Sequence, residues 1–275
     1  MGARLNGIEM DWRERGRGDA ILFIHGFPLN SAMWEPQLSE LPPGWRGIAP
    51  DLRGFGATTD GPEAVYTMEL FASDLAALLD HLGVERAVVC GLSMGGYVAF
   101  QFWRLYRERV RALVLCDTRS GPDSEDARKA RHRLVERVRE EGNTPVIDAM
   151  LPKMTALSTR ITHPGVSELV KAMMRETSPR TMMRALLGMA ERADADGIVR
   201  TIDVPTLIVF GAEDAITSRG QIEMLARGVR GGRLEIIDGA GHVPNLEQPE
   251  TFNRVLAAFL AGLPLTTFSV ESLSF

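Results

Sequence analysis

The sequence predicts an α/β fold: a mostly parallel central sheet with helices on both faces and one helical insertion. Three observations carry this. Continuous apolar runs of strand length recur along the chain. Amphipathic helical patterns lie between most of them. One stretch, residues 120–202, breaks the alternation and reads as helices alone.

The elements follow in order. "LNGIEMDWRER" alternates apolar and polar residues and carries Asn6-Gly7, a hairpin signal. Gly16 and Gly18 mark the next turn. "AILFIHG" is then an unbroken apolar run, the pattern of a strand buried on both faces. Similar runs follow at 45–50 (WRGIAP), 86–91 (RAVVCG), 111–117 (RALVLCD), 205–211 (PTLIVFG) and 233–239 (RLEIIDG). Between Thr67 and Leu82, apolar residues return at i, i+3 and i+4, and Gly83 is placed to end that helix. Residues 94–107, 217–228 and 248–261 also read as helices. This alternation gives parallel strands joined by crossover helices.

In the insertion, "DSEDARKARHRLVERVREE" is a charged helix of mixed sign. "ELVKAMMRETSPRTMMRALLGMAER" gives two more helices split near Pro179. Seven of the 13 methionines lie here: Met150, Met154, Met173, Met174, Met182, Met183 and Met189. They read either as filling between helices or as a deformable apolar lid over a site. The expected division is a core of 1–119 and 203–275 with a helical cap of 120–202.

Composition bounds the partners. The chain is 45% hydrophobic with a formal charge of −5, and no block of lysines and arginines stands out. That argues against a nucleic-acid partner. Cys90 and Cys116 lie inside apolar runs and read as buried free thiols. The first residues carry no apolar signal-peptide segment, and no stretch approaches the ~20 apolar residues of a membrane span. The expectation is a cytoplasmic protein; no feature of the sequence fixes an oligomeric state.

The chemistry starts at "CGLSMGGYVAF". Gly91-Leu92-Ser93-Met94-Gly95 is G-x-S-x-G between an expected strand and an expected helix, the context in which this turn lifts a serine nucleophile above a sheet edge. A serine needs a base, and the base needs an orienting acid. Of five histidines, His81, His132 and His163 read as surface residues. His25, in "FIHGFPLN", reads as a brace for its loop. His242, in "DGAGHVPNLEQPE", follows the last strand, at the edge where such sheets carry their chemistry. Asp214 in "FGAEDAIT" and Asp117 at the end of "RALVLCD" compete for the acid, with Glu213 a lesser candidate. Asp214 gives the chain order Ser, Asp, His. Asp51 reads as structural, holding a turn with Arg53 and Gly54. An oxyanion needs two donors: the N–H of Met94, at the helix start, and that of Phe27, since Pro28 has none.

Taken together, "HGFPLNSAMW", "PDLRGFG", "GLSMGG", "FGAED" and "GAGHVPNLEQP" resemble the α/β-hydrolase superfamily across nearly the whole chain, most closely its small bacterial carboxylesterases and 3-oxoadipate enol-lactonases. The resemblance implies an α/β-hydrolase fold with a helical cap after the sixth strand. It also implies acyl transfer to water through an acyl-enzyme on Ser93, with His242 as base and Asp214 as its partner. Neither a metal nor an organic cofactor enters that chemistry. The single HGF-type loop departs from the HGGG loop of hormone-sensitive-lipase-like esterases, and the elbow serine separates the chain from dehalogenases and epoxide hydrolases. The expected substrate is an uncharged short- to medium-chain ester. A lactone or a C–C bond hydrolase with the same triad is the alternative, and a non-catalytic binding protein on the same fold is the remaining one. The tail 263–275 is unassigned.

Overall fold

The computed structural model describes residues 1–263. Eight strands form one sheet: β1 (Gly2–Leu5), β2 (Ile8–Gly16), β3 (Asp19–Ile24), β4 (Trp45–Pro50), β5 (Ala87–Leu92), β6 (Val110–Cys116), β7 (Thr206–Gly211) and β8 (Arg233–Ile237). Their spatial order is β1-β2-β4-β3-β5-β6-β7-β8. β1 and β2 pair antiparallel, as does β2 with β4, and every pairing from β4 through β8 is parallel.

Local chemistry sets these elements. Asn6 (φ 46°) and Gly7 (φ 81°) both take positive φ, the two-residue turn that suits a hairpin's twist. Every residue of β5 and β7 is buried, which explains their unbroken apolar sequences. Outside the 120–202 stretch the helices are α1 (Glu35–Ser39), α2 (Met68–His81), α3 (Met94–Tyr106), α10 (Arg219–Gly228), α11 (Pro244–Glu247) and α12 (Pro249–Ala261). The Thr67 side chain caps α2 by accepting from the N–H of Leu70, and Gly83 follows at φ 65°.

Six helices fill the chain between β6 and β7: α4 (Glu125–Glu141), α5 (Thr144–Met154), α6 (Leu157–Thr162), α7 (Pro164–Glu176), α8 (Pro179–Glu191) and α9 (Asp196–Val199). The charged helix and the pair meeting at Pro179 match the sequence reading. Pro179 opens α8 rather than interrupting a helix, because Ser178 caps it and proline suits the first turn. The sequence reading did not resolve α5 and α6. α5 carries Pro145 in its first turn and Pro152 inside, which obscures its period. Met154, Met173, Met174, Met182 and Met189 are buried, so most of these methionines fill space between helices.

One expectation needs correcting. Asp51 does hold a turn, but not with Arg53. Its carboxylate accepts from the N–H groups of Ser31 (2.7 Å) and Ala57 (2.8 Å). Arg53 turns the other way and grips Asp74 of α2 through two hydrogen bonds, at 2.8 and 2.6 Å, and also reaches Glu63 and the Asn6 carbonyl. Both partners are buried, so the pair joins α2 to the β1–β2 turn inside the protein. Cys90 and Cys116 are free and buried, as expected. Among the described residues, no helix is long and apolar enough to cross a membrane. Apart from Leu263, the unassigned tail lies outside the described residues.

Candidate active site

Ser93 sits between β5 and α3 with φ 55° and ψ −112°, a backbone conformation that a side-chain-bearing residue rarely takes. The glycines explain how the turn is tolerated. A Cβ on Gly91 would collide with the Gly95 carbonyl, and one on Gly95 with the Ile24 carbonyl of β3. The turn is pinned further. The Ser93 N–H donates to the Cys116 carbonyl of β6 (2.9 Å), and the Thr118 hydroxyl donates to the Ser93 carbonyl (2.8 Å).

His242 and Asp214 come from neighbouring loops at the carboxyl ends of β8 and β7. His242 Nδ1 lies 2.8 Å from Asp214 Oδ2, with both side chains at most 1% exposed. Asp214 Oδ1 in turn accepts from the N–H groups of Ile216 (2.7 Å) and Thr217 (3.1 Å), which fix the carboxylate. With Nδ1 engaged, Nε2 is the ring nitrogen left for chemistry. It is buried and has no hydrogen-bond partner among the described residues.

Asp117, the competing acid, follows β6 at φ 45° and is fully buried. It lies against the same pair: donor atoms of Asp117, Asp214 and His242 fall within 4.8 Å of one another. A divalent cation there would have to displace the Nδ1–Oδ2 hydrogen bond. Glu213 is exposed.

Met94 opens α3, so its N–H has no intrahelical acceptor. Phe27 follows β3 and Gly26, and a Cβ on Gly26 would come within 3.4 Å of Ser93 Cβ, which brings this loop beside the serine. No acceptor among the described residues takes the Phe27 N–H. His25 braces this loop as expected. Its Nε2 accepts from the Leu52 N–H (3.0 Å), so Nδ1 carries the proton toward the Gly26 carbonyl (3.0 Å). Burial lowers its pKa and keeps the ring neutral. His81, His132 and His163 are exposed.

Glu247 is a residue the sequence reading missed. Its Oε1 accepts from the N–H of Gly241 (2.8 Å), and its Oε2 from the Ala156 N–H (2.7 Å) and the Thr159 hydroxyl (2.8 Å). The His242 loop is thereby fastened to the junction of α5 and α6. The available signal was a carboxylate five residues after the histidine, in a glycine- and proline-rich loop whose N–H groups lack regular partners.

A strained serine after a parallel strand, with a buried Asp–His pair at the same sheet edge, defines the α/β-hydrolase class. The chain belongs to that family: the model for the alpha/beta hydrolase fold matches residues 19–249. It is 27% identical to 3-oxoadipate enol-lactonase 2 of Acinetobacter baylyi, over 92% of this chain and 93% of that one. It is 30% identical to a pimeloyl-[acyl-carrier protein] methyl ester esterase of Neisseria meningitidis, over 88% and 94%. Among solved structures, a thermophilic esterase from Thermogutta terrifontis with malate bound superposes with a TM-score of 0.92 at 41% identity, covering 96% and 98% of the two chains. The enol-lactonase from Burkholderia xenovorans LB400 gives a TM-score of 0.88 at 26% identity, covering 95% and 100%.

Proposed function

We propose that this hydrolase cleaves carboxylic esters through an acyl-enzyme on Ser93. The observation that carries the reading is the 2.8 Å hydrogen bond between buried Asp214 and His242, at the sheet edge where Ser93 is held at φ 55°. Ser93 Oγ attacks the ester carbonyl while His242 Nε2 takes its proton. The N–H groups of Phe27 and Met94 receive the oxyanion, a contribution of ~3 kcal/mol per donor in such sites. Asp214 holds the tautomer and stabilises the imidazolium. His242 then gives the proton to the leaving alcohol. Water, deprotonated by the same imidazole, releases the acid and restores Ser93.

Residues 120–202 are read as a cap over this site, and the preferred substrate as an uncharged short- to medium-chain ester. Met150 and Met183, the two methionines of the insertion that are only partly buried, support an apolar wall. Arg119, Arg131 and Arg192 at the base of the insertion all turn their guanidinium groups to Asp123, which fixes where they sit. The enol-lactonase relatives support lactone hydrolysis by the same groups as the second reading.

The test is a panel of 4-nitrophenyl esters of rising acyl length, lactones and vinylogous diketones, run on wild type and Ser93→Ala. Esters should be turned over fastest, and the variant should lose about 10⁴-fold or more in turnover. A serine-directed phosphonate should label wild type only. A folded Ser93→Ala protein keeping a tenth of the activity would remove Ser93 from the mechanism. Faster turnover of lactones than of any ester would replace the first reading with the second.

A further inference from the structure

Asp117 occupies a place that an ionised carboxylate cannot easily hold. One oxygen, Oδ1, accepts from the Gly211 N–H at 2.9 Å. The other, Oδ2, is buried and receives no donor. Its neighbour is another carboxylate: one oxygen of Asp117, one of Asp214 and one ring nitrogen of His242 all lie within 4.8 Å of one another. The titratable groups facing Asp117 are Asp214 and His242 from the loops after β7 and β8, and Cys116 on its own strand with Cys90 beside it on β5. Among the described residues, no arginine or lysine forms a hydrogen bond or ion pair with it. Two unscreened negative charges at that separation, in a site closed to water, would repel strongly.

We infer that Asp117 is held as a neutral carboxylic acid whose Oδ2–H donates to the Asp214 carboxylate, making Asp117 a positioning residue that sets the basicity of His242. The inference rests on the Ser93–His242–Asp214 reading and goes one layer beyond it. Burial first, and the Asp214 charge second, push the Asp117 pKa well above its usual range, in agreement with the geometry. The proton comes from solvent on folding and stays on Asp117 through the cycle. Its effect is on Asp214, which then accepts four hydrogen bonds: from His242, Ile216, Thr217 and Asp117. A carboxylate that shares its charge so widely holds an imidazolium less tightly. An ionised Asp117 would do the opposite and keep the imidazole protonated to higher pH.

Asparagine separates these states, because its carbonyl can still accept from Gly211 while its NH₂ group replaces the acid's O–H. The experiment is the pH profile of kcat/KM on a 4-nitrophenyl ester for wild type, Asp117→Asn, Asp117→Ala and Asp214→Asn. The acid limb of such a profile reports the free base. Asp117→Asn should leave that limb within about 0.3 pH unit of wild type, and Asp117→Ala should raise it by about half a unit or more, because Asp214 loses a donor. A fall of about one unit or more in Asp117→Asn would mean that a negative charge had been removed, and would overturn the inference. So would an unmoved limb in Asp117→Ala, since a purely structural role predicts that result. Should either variant fail to fold, the infrared spectrum of wild type decides: a protonated carboxyl stretch that persists at neutral pH supports the inference, and its absence overturns it. Asp214→Asn keeps the two readings apart. If it is near normal while Asp117→Asn is inactive, the triad acid was misassigned. If Asp214→Asn is inactive and Asp117→Asn shifts, only this inference falls.

Discussion

The backbone N–H of His242 donates to the carbonyl of Met154, at the end of α5, across 3.1 Å. The proposed base is therefore anchored to the insertion as well as to the sheet. Glu247 doubles the tie by binding Gly241 on one side and Ala156 with Thr159 on the other. A Cβ on Gly241 would stand 2.7 Å from the Ala156 nitrogen, so the two segments touch backbone to backbone. Whatever moves this part of the insertion also moves the loop that carries the histidine.

Glu247→Gln tests that coupling. The amide offers one acceptor where the carboxylate offered two, and it turns an N–H toward groups that are themselves donors. The expected result is a loss of about tenfold or more in kcat/KM with a lowered melting temperature, from a residue that performs no proton transfer. Steady-state kinetics and a thermal melt read both. Wild-type values on both would show that the tie does not position His242.

A second prediction concerns Arg53 and Asp74. Removing one partner of a buried pair leaves an uncompensated charge, which costs about 3–5 kcal/mol. Asp74→Asn should therefore lower the melting temperature by on the order of 10 °C. Replacing both with apolar residues, Arg53→Met with Asp74→Leu, should recover at least half of that loss, because burying the pair already carries a desolvation cost. If the double variant melts lower than the single one, the pair contributes more than charge balance, through Asn6 and Glu63.

These cases mark what the sequence could and could not disclose. Strands β3, β5, β6 and β7 were readable because burial on both faces forces continuous apolar runs. The elbow was readable because the glycines two residues to either side of Ser93 are demanded by close backbone contacts. Arg53, Asp74 and Glu247 were not readable: each is a charged residue of the type usually found on a surface, and its burial depends on partners 21 to 91 positions distant. α5 and α6 were hidden for another reason, since prolines and short length leave no clear period. The competition between Asp117 and Asp214 was legible only as a choice between alternatives. The structure shows both carboxyls in one cluster, with the hydrogen bond to His242 made by Asp214.

A third prediction has a sign that helix propensity alone would get wrong. Gly188 lies inside α8, where alanine ordinarily gains about 1 kcal/mol. Here a Cβ would be driven into the Tyr66 carbonyl. The same helix accepts the Tyr66 N–H on the Arg184 carbonyl (3.1 Å) and holds the Tyr66 hydroxyl with the Arg184 guanidinium (2.9 Å), so the backbones cannot part freely. Overpacking of this kind costs ~1–3 kcal/mol or more, and it outweighs the propensity gain. Gly188→Ala should melt lower than wild type. A higher melting temperature would mean that α8 can move away from Tyr66 at little cost.

The last prediction uses pH. Asp123, just before α4, collects Arg119 (2.5 Å), Arg131 (2.5 Å) and Arg192 (2.8 Å), and so joins the start of the insertion to the end of α8. Arg192 also lies over the Tyr97 ring of α3, 4.2 Å from its centre. Burial alone would raise the Asp123 pKa, but the hydrogen bonds and charges of Arg131 and Arg192 together outweigh it and lower the pKa from 3.8 to about 2. A carboxyl depressed in the folded state contributes stability above its unfolded pKa and loses it as pH falls through the folded value. The shift corresponds to on the order of 2 kcal/mol, trimmed toward about 1 kcal/mol by water at the arginines. That contribution should be whole above about pH 5 and should disappear between roughly pH 4 and pH 2. Urea unfolding of wild type and Asp123→Asn at about pH 6 and about pH 3 isolates it, because the other carboxylates titrate alike in both proteins. The stability gap between the two should narrow at the lower pH, because Asp123 of the unfolded chain takes up its proton there while the folded carboxylate still holds its charge. An equal gap at both values would show that the ionised carboxylate is not what holds the three arginines together.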